Sequence, residues 1–278
     1  MGRNKNKNPT YSNWQDIYNN LKELFLTSFK WESLPPTVNE RFLELSLFDY
    51  GQVAFFRDEL LGYLALKSSL NGSLNVYYEP TSIIAYGGGS YQKQLTNNKD
   101  CIIIYNNTVR DTPQRRLMDY AKRIYNIEKT IDINIHGQRT PILIKTSKKQ
   151  ELTIKNLYSQ YEDYEPVVIV DEDLDISKLS VLNTNSPFVA DKLEEQKRKL
   201  WNEALSFIGI ENNFSEKNER LTANEVMVSN GLAISNRNSK LQAREKACEM
   251  INELFGLNVS VSVSNLSILE IEGGGDFE

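Results

Sequence analysis

The sequence has little of the residue types on which many catalytic and metal sites depend. It contains one histidine, His136, and two cysteines, Cys101 and Cys248, which lie far apart. A Ser-His-Asp or Cys-His site would have to use that histidine, and a zinc site needs several such ligands. Because His136 precedes a glycine at a predicted helix C-terminus, we expect its imidazole to interact favourably with the helix dipole. We expect both cysteines to be buried, reduced thiols.

Long apolar runs and nucleotide-binding or metal-binding signatures are also missing. No apolar run approaches the length that a membrane-spanning helix needs. Gly87-Gly88-Gly89 is followed by Ser90-Tyr91 rather than by the Lys and Ser/Thr of a P-loop, so we predict a turn there. The acidic run from Asp171 to Asp175 lacks the glycine of a calcium loop, which favours a solvated turn. We therefore expect no ATP-hydrolysing site, metal ion or cofactor.

Positive charge is not in excess either. The 32 basic residues face 37 acidic ones, for a net charge of −5. A protein that coats nucleic acid nonspecifically needs a broad basic surface, so that class is disfavoured. A protein that surrounds DNA without gripping it stays compatible with this charge. The start of the chain is locally basic and has no apolar core behind it, so we expect a disordered tail rather than a secretory signal.

The patterns that are present predict a mixture of helices and strands. Ser12 and Gln15 have the spacing of a capping box, and the helix that they begin is stopped by the prolines after Leu34. A second short helix is predicted at Asn39–Phe48. Short apolar and aromatic segments separated by turns predict a small barrel or sandwich. These candidate strands are Val53–Arg57, Tyr63–Leu66, Asn75–Tyr78, Ser82–Tyr86 and Cys101–Tyr105.

Longer helices dominate the second half of the chain. They are predicted at Pro113–Ile133, Pro187–Phe207 and Leu241–Phe255. An α/β insert, Thr140–Leu182, separates the first two, with strands Pro141–Lys145 and Val167–Val170 around a helix at Leu152–Tyr161. The first two helices each have one apolar stripe, as in helices that pack side by side. The polar segment Val228–Lys240 is predicted as a loop and Asn258–Ser262 as a last strand.

Five segments together resemble one protein family. They are Trp31–Asn39 (WESLPPTVN), Arg139–Lys145 (RTPILIK), Asn156–Val170 (NLYSQYEDYEPVVIV), Phe188–Ile210 (FVADKLEEQKRKLWNEALSFIGI) and Arg244–Val259 (REKACEMINELFGLNV). In this order they are similar to segments of the upper collar, or head–tail connector (portal), protein of small short-tailed, picovirus-type bacteriophages. None is a catalytic signature, but five ordered matches are hard to obtain by chance.

The resemblance implies a non-enzymatic protein with the α+β phage portal fold, in which long channel helices carry an α/β clip insert and a β-rich, SH3-like wing. It implies a disordered basic tail at 1–12, the wing at 13–112, a channel helix at 113–136, the clip at 137–185, a second channel helix at 186–210, a linker and channel loop at 211–240, a wing return helix and strand at 241–263, and a short crown or tail at 264–278. It also implies a place at the portal vertex of the virion after assembly in the host cytoplasm.

A function and a set of partners follow from the same resemblance. A homododecameric ring at the unique capsid vertex would conduct double-stranded DNA during packaging and ejection. The expected partners are further copies of the chain, double-stranded DNA, the major capsid protein, the lower collar or tail protein, the packaging ATPase and, where the phage uses one, packaging RNA. No membrane partner is expected.

The resemblance also points to residues that contact nucleic acid. The expected DNA-channel residues are Lys192, Asn230, Arg237 and Lys240, and the expected packaging-RNA contacts are Arg3, Lys5 and Lys7. Lys192 matches one channel-lining lysine of the family, whereas Asn183 stands at a second such position.

Two alternatives remain open from the residues alone. One is a metal-dependent nuclease that uses Asp171, Asp173 and a further carboxylate, and the other is a monomeric DNA-binding adaptor.

Overall fold

The computed structural model describes residues 13–72, 74–138, 142–146, 167–171, 187–211 and 223–264. Of residues 142–146, 167–171 and 223–229 it describes the backbone alone. The chain divides into two compact units, one that combines Met1–Ile124 with Leu200–Glu278 and one that spans Tyr125–Lys199. Helices and sheets both contribute, which confirms the expected α+β class.

The described part of the chain contains five helices and nine strands. The helices are α1 Trp14–Leu26, α2 Glu40–Tyr50, α3 Gln114–Gly137, α4 Ala190–Ile208 and α5 Ala223–Phe255. The strands are β1 Phe29–Glu32, β2 Gln52–Asp58, β3 Gly62–Leu70, β4 Ser82–Tyr86, β5 Gln92–Thr96, β6 Cys101–Tyr105, β7 Ile142–Thr146, β8 Val167–Asp171 and β9 Ser260–Val263. The boundary between the two units falls within α3 and α4.

A five-stranded antiparallel sheet organises the larger unit. Its strand order is β5-β4-β3-β2-β6. Alternate side chains of a strand point to opposite faces, and β2 is buried on both, since Phe55 and Phe56 are each fully inaccessible to solvent. Phe55 lies opposite Ala65 of β3 and Ile102 of β6, and this register keeps all three on one face.

The two faces of this sheet are buried in different ways. On the face of Phe55, the sheet packs against α2, α5, the antiparallel pair β1–β9 and the residue before β9, which contribute Leu43, Leu47, Ile251, Trp31 and Val259. On the face of Phe56, the cluster draws its residues from the five strands and the turn before β5. The sheet therefore curls around its own side chains on that face, as in a small barrel.

A buried ion pair links α5 to the rest of this unit. Arg244 of α5 is fully buried and donates to both carboxylate oxygens of Glu44 of α2, at 2.9 and 2.7 Å. The Arg244 guanidinium also donates to the backbone carbonyl oxygen of Asn106, at 2.8 Å, and the indole N–H of Trp31 donates to Glu44, at 2.8 Å. Each charge is thus paired and hydrogen-bonded, which is the condition for burying it.

The smaller unit contains the end of α3, the start of α4 and the strands β7 and β8, which pair in parallel. These two strands confirm the prediction for this insert, with bounds shifted by one residue at three of their four ends. The helix predicted at Leu152–Tyr161 lies outside the described residues. Of the acidic run, Asp171 ends β8 and the residues that follow lie outside the described part as well.

Several local predictions differ from the structure. Asn75–Tyr78 is a turn rather than a strand, because the Asn75 side chain accepts hydrogen bonds from the backbone N–H groups of Tyr77, at 2.8 Å, and Glu79, at 3.0 Å. Its aromatic residues are exposed at the tip of the turn rather than buried in a sheet. The first helix is capped by Asn13 and Asp16 instead of Ser12 and Gln15. It ends at Leu26, and β1 follows it, so the prolines after Leu34 are not what stops it. Strands β1 and β5 were not predicted, and both are short and partly polar.

Candidate nucleic-acid interface

Lys192 lies on the exposed side of α4, in the smaller unit. The start of this helix is fixed by the buried Asn134 of α3, which donates to the Pro187 carbonyl oxygen and accepts from the Val189 N–H, both at 3.0 Å. Among the described residues Lys192 forms no ion pair, whereas Lys197 and Lys199 pair with Glu194 and Glu195. Lys192 is therefore available to an anionic ligand.

The segment predicted as a loop is helical. Residues Ala223–Phe255 form the single helix α5, so the expectation of a loop at Val228–Lys240 is wrong. The segment is rich in asparagine and serine, which have low helix propensity. Tertiary contacts from Asn236, Arg237 and Lys240 hold it in place despite that composition. Asn230 lies on this helix and is half-buried.

Asn236 and Arg237 bind the end of α4 to α5. The Asn236 side chain donates to the Ser206 carbonyl oxygen at 2.9 Å, and Arg237 pairs with Glu211 at 2.7 Å. Gly209 ends α4 with a φ of +103°, and a Cβ atom there would lie 2.9 Å from the Arg237 Cα. Only glycine permits both this backbone conformation and this approach. Arg237 is thus part of an internal contact.

Lys240 is buried and serves the fold. Its side-chain ammonium donates to the carbonyl oxygens of Phe207, at 2.8 Å, of Ile208, at 3.1 Å, and of Asn236, at 3.3 Å. The first two are end carbonyls of α4, which have no donor within their own helix. Burial, and next the positive charges of Arg244 and Arg116, lower the pKa of Lys240 to about 7. In this structure Lys240 is a helix cap, which does not fit the expectation that it contacts DNA.

The residues Arg3, Lys5 and Lys7 lie outside the described part of the chain. Three observations on the described residues bear on enzymatic chemistry. Cys101 and Cys248 are free and buried, as expected, and burial raises the pKa of each thiol to about 12. Gly87–Gly89 form the turn between β4 and β5, as predicted. Within the described ranges, no group of three or more His, Cys, Asp or Glu residues is placed to hold a metal ion.

The structure also brings out a basic face that the sequence reading missed. Arg115, Arg116, Lys122 and Arg123 lie on the exposed side of α3, opposite the buried Leu117 and Ile124. The signal was available, because residues that are seven apart share one face of a helix. The helix was predicted from its apolar seam, and the charges on its opposite face were not used in the prediction.

Comparisons with known proteins give the family of the chain. The family described as "Phage Connector (GP10)" matches residues 2–267. One similar solved structure is the portal and tail of native bacteriophage P68, with 15% sequence identity and a TM-score of 0.49 over 93% of this chain and 89% of that chain. That likeness is too weak to carry an argument, whereas the family match spans nearly the whole sequence. The chain therefore belongs to the Phage Connector (GP10) family and is a phage head–tail connector, or portal, protein, a non-enzymatic structural component of the virion.

Proposed function

We propose that copies of this chain form a closed homododecameric ring at the unique capsid vertex, through which double-stranded DNA enters and leaves the head. The observation that carries this proposal is the family match over residues 2–267. A ring requires two different faces of each copy to meet in a heterologous contact that closes by rotation. The mechanism is passive, since the ring guides DNA while a separate enzyme supplies the energy.

Two features of the helices support lateral packing. Helices α3 and α4 have 24 and 19 residues, which corresponds to lengths of about 36 and 28 Å. In the smaller unit, Ile133, Ile135 and Phe188 leave 69%, 46% and 57% of their surface exposed. Large apolar side chains that are this exposed in a single copy favour burial against a second one. In the proposed ring, α3 and α4 form the channel wall and their apolar side chains contact the neighbouring copies.

The remaining assignments follow the same proposal. Residues 137–185 form the clip that meets the packaging ATPase and the lower collar or tail protein, and residues 13–112 with their curled sheet form the SH3-like wing, towards the major capsid protein. No helix of the described residues is long and apolar enough to cross a membrane. We assign Arg3, Lys5 and Lys7 to packaging RNA where the phage uses one.

Of the four expected channel residues, Lys192 and Asn230 remain in the proposal. Lys192 is exposed on α4 and Asn230 is half-exposed on α5, so both side chains have access to a ligand. Arg237 and Lys240 are left out, because the first pairs with Glu211 and the second is buried under the end of α4. A ring of Lys192 side chains would attract phosphates weakly, without the strong binding that stalls a moving duplex.

Sedimentation velocity on the purified full-length chain tests the ring. We expect one discrete species many times heavier than the 32.0 kDa chain, with no ladder of open-ended aggregates. A single-copy species at every concentration would contradict the proposal.

Phage carrying Lys192→Gln test the channel assignment, with Lys199→Gln as the matched control, because Lys199 lies on the same helix but pairs with Glu195. We expect Lys192→Gln to alter genome retention and Lys199→Gln to leave it unchanged.

A further inference from the structure

The exposed face of α3 concentrates positive charge in a chain whose net charge is negative. Arg115, Arg116, Lys122 and Arg123 are all exposed to solvent, and Asp119 is the one acidic residue among them. None of these four cations forms an ion pair with another described residue. On α4, by contrast, Lys197 and Lys199 are each neutralised by a glutamate. We call the four cations of α3 the basic face.

Two of these cations are held against aromatic rings. The Lys122 ammonium lies 5.1 Å from the ring centroid of Trp14, and the Arg116 guanidinium lies 4.5 Å from that of Phe207. Both contacts are within the range of cation–π attraction, which orients the cation without neutralising it. The charges are therefore positioned by the fold and remain available to an anion.

The spacing of the cations fits a regular polyanion. Arg115 and Lys122 are seven residues apart, as are Arg116 and Arg123, so each pair spans about 10.5 Å along the helix. Duplex DNA carries one negative charge per about 1.7 Å of its axis, or roughly six phosphates over that length. Four cations and one carboxylate give a net charge of +3, which is about half the charge of a duplex segment of that length running along the helix.

A second basic segment of the sequence joins the fold at the same place. Trp14, which contacts Lys122, is the first residue of α1. The residues before it include Arg3, Lys5 and Lys7 and contain no acidic side chain. The sequence that leads into α1 is thus basic, and the first residue of α1 contacts the basic face.

We propose that the basic face of α3 is a second DNA-contacting surface, which binds the sugar–phosphate backbone of double-stranded DNA independently of Lys192. Guanidinium and ammonium groups form charge-assisted hydrogen bonds to phosphate oxygens, and such contacts carry no base sequence. The choice of DNA over other polyanions rests on the proposed function, because DNA is what the ring would surround. The basic face itself rests on the structure alone.

Fluorescence anisotropy of a short labelled DNA duplex, titrated with the full-length protein over a range of KCl concentrations, tests this inference. The variant is Arg115→Gln/Lys122→Gln/Arg123→Gln. The matched control is Lys30→Gln/Arg57→Gln/Lys246→Gln, which removes the same charge from three exposed sites on separate elements. We expect the first variant to bind roughly a hundredfold more weakly at 0.1 M salt, with a log–log salt slope reduced by about 3. We expect the control to change the affinity by less than about threefold.

Other outcomes would overturn the inference. Equal DNA binding by the two triple variants would mean that the basic face is no ligand site. A duplex RNA of the same length that binds at least tenfold more tightly would exclude DNA as the ligand, and a loss of oligomer size instead of DNA affinity would make the face a contact between copies. Failure of the proposed function is recognised separately, because a wild-type chain that sediments as a single copy contradicts the ring whatever the basic face binds.

Discussion

The cations of α5 and those of α3 differ in what surrounds them, although they belong to the same compact unit. Lys240 and Arg244 of α5 are buried, and each donates to oxygens supplied by other parts of the chain. Arg115 and Lys122 of α3 are exposed and meet no carboxylate among the described residues. The comparison teaches that a cation's burial and partners, rather than its presence in a polar segment, decide whether it serves the fold or is available to a ligand.

The largest expected effect comes from breaking the buried pair of α5. Arg244→Met leaves the Glu44 carboxylate buried without its charged partner, which typically costs about 3–5 kcal/mol of unfolding free energy. Urea unfolding followed by circular dichroism measures the loss. The double variant Glu44→Met/Arg244→Met is the control, because it removes both charges and should recover a large part of the stability. Unchanged stability in Arg244→Met would show that α5 does not depend on this pair.

An intermediate effect is expected where α5 meets the end of α4. Gly209→Ala places a Cβ atom 2.9 Å from the Arg237 backbone at a φ of +103°, so we expect a loss of about 1–3 kcal/mol. Gly231→Ala is the matched control. No atom lies within 4 Å of its added Cβ, and it sits inside a helix, where alanine should stabilise by about 0.5–1 kcal/mol. Thermal unfolding of both variants measures whether each substitution raises or lowers the stability, and equal effects would argue against a close contact at Gly209.

The smallest effect, taken per pH unit, is a pH dependence from Lys240. Its pKa is about 7 in the folded chain and near the ordinary 10.5 when unfolded, so between those values the unfolded chain binds more protons. The free energy of unfolding should therefore rise with pH above 7, by at most about 1.4 kcal/mol per pH unit, and gain nothing from this group below 7. Urea unfolding of the wild type and Lys240→Met at pH 7 and 9 measures it. The same pH response in both proteins would exclude Lys240 as its source.

Much of the fold could be predicted from local patterns. Strands β2, β3, β4 and β6 follow from short apolar segments between turns, and α3 follows from its apolar seam. The N-terminal half of α5 could not be predicted in this way, because its asparagines and serines favour a loop locally. It is helical because Asn236 and Lys240 satisfy carbonyl groups at the end of α4, about thirty residues earlier in the chain.

The candidate site was less predictable than the fold. Lys192 was identified through a family resemblance, and its exposure on α4 is consistent with that role. Lys240 was expected to contact DNA because the family resemblance placed it in a channel loop. Its burial depends on contacts with Phe207 and Ile208, which local sequence does not reveal. The basic face of α3 needed the register of the helix and the position of α1 before it could be recognised.

The central claim is that several copies of this chain surround duplex DNA. Electron microscopy of the purified full-length protein mixed with a short DNA duplex tests it most directly. We predict annular particles in end view, with density for the duplex along the axis of the ring. Compact single-copy particles, or rings that carry the duplex only on their outer surface, would contradict the claim.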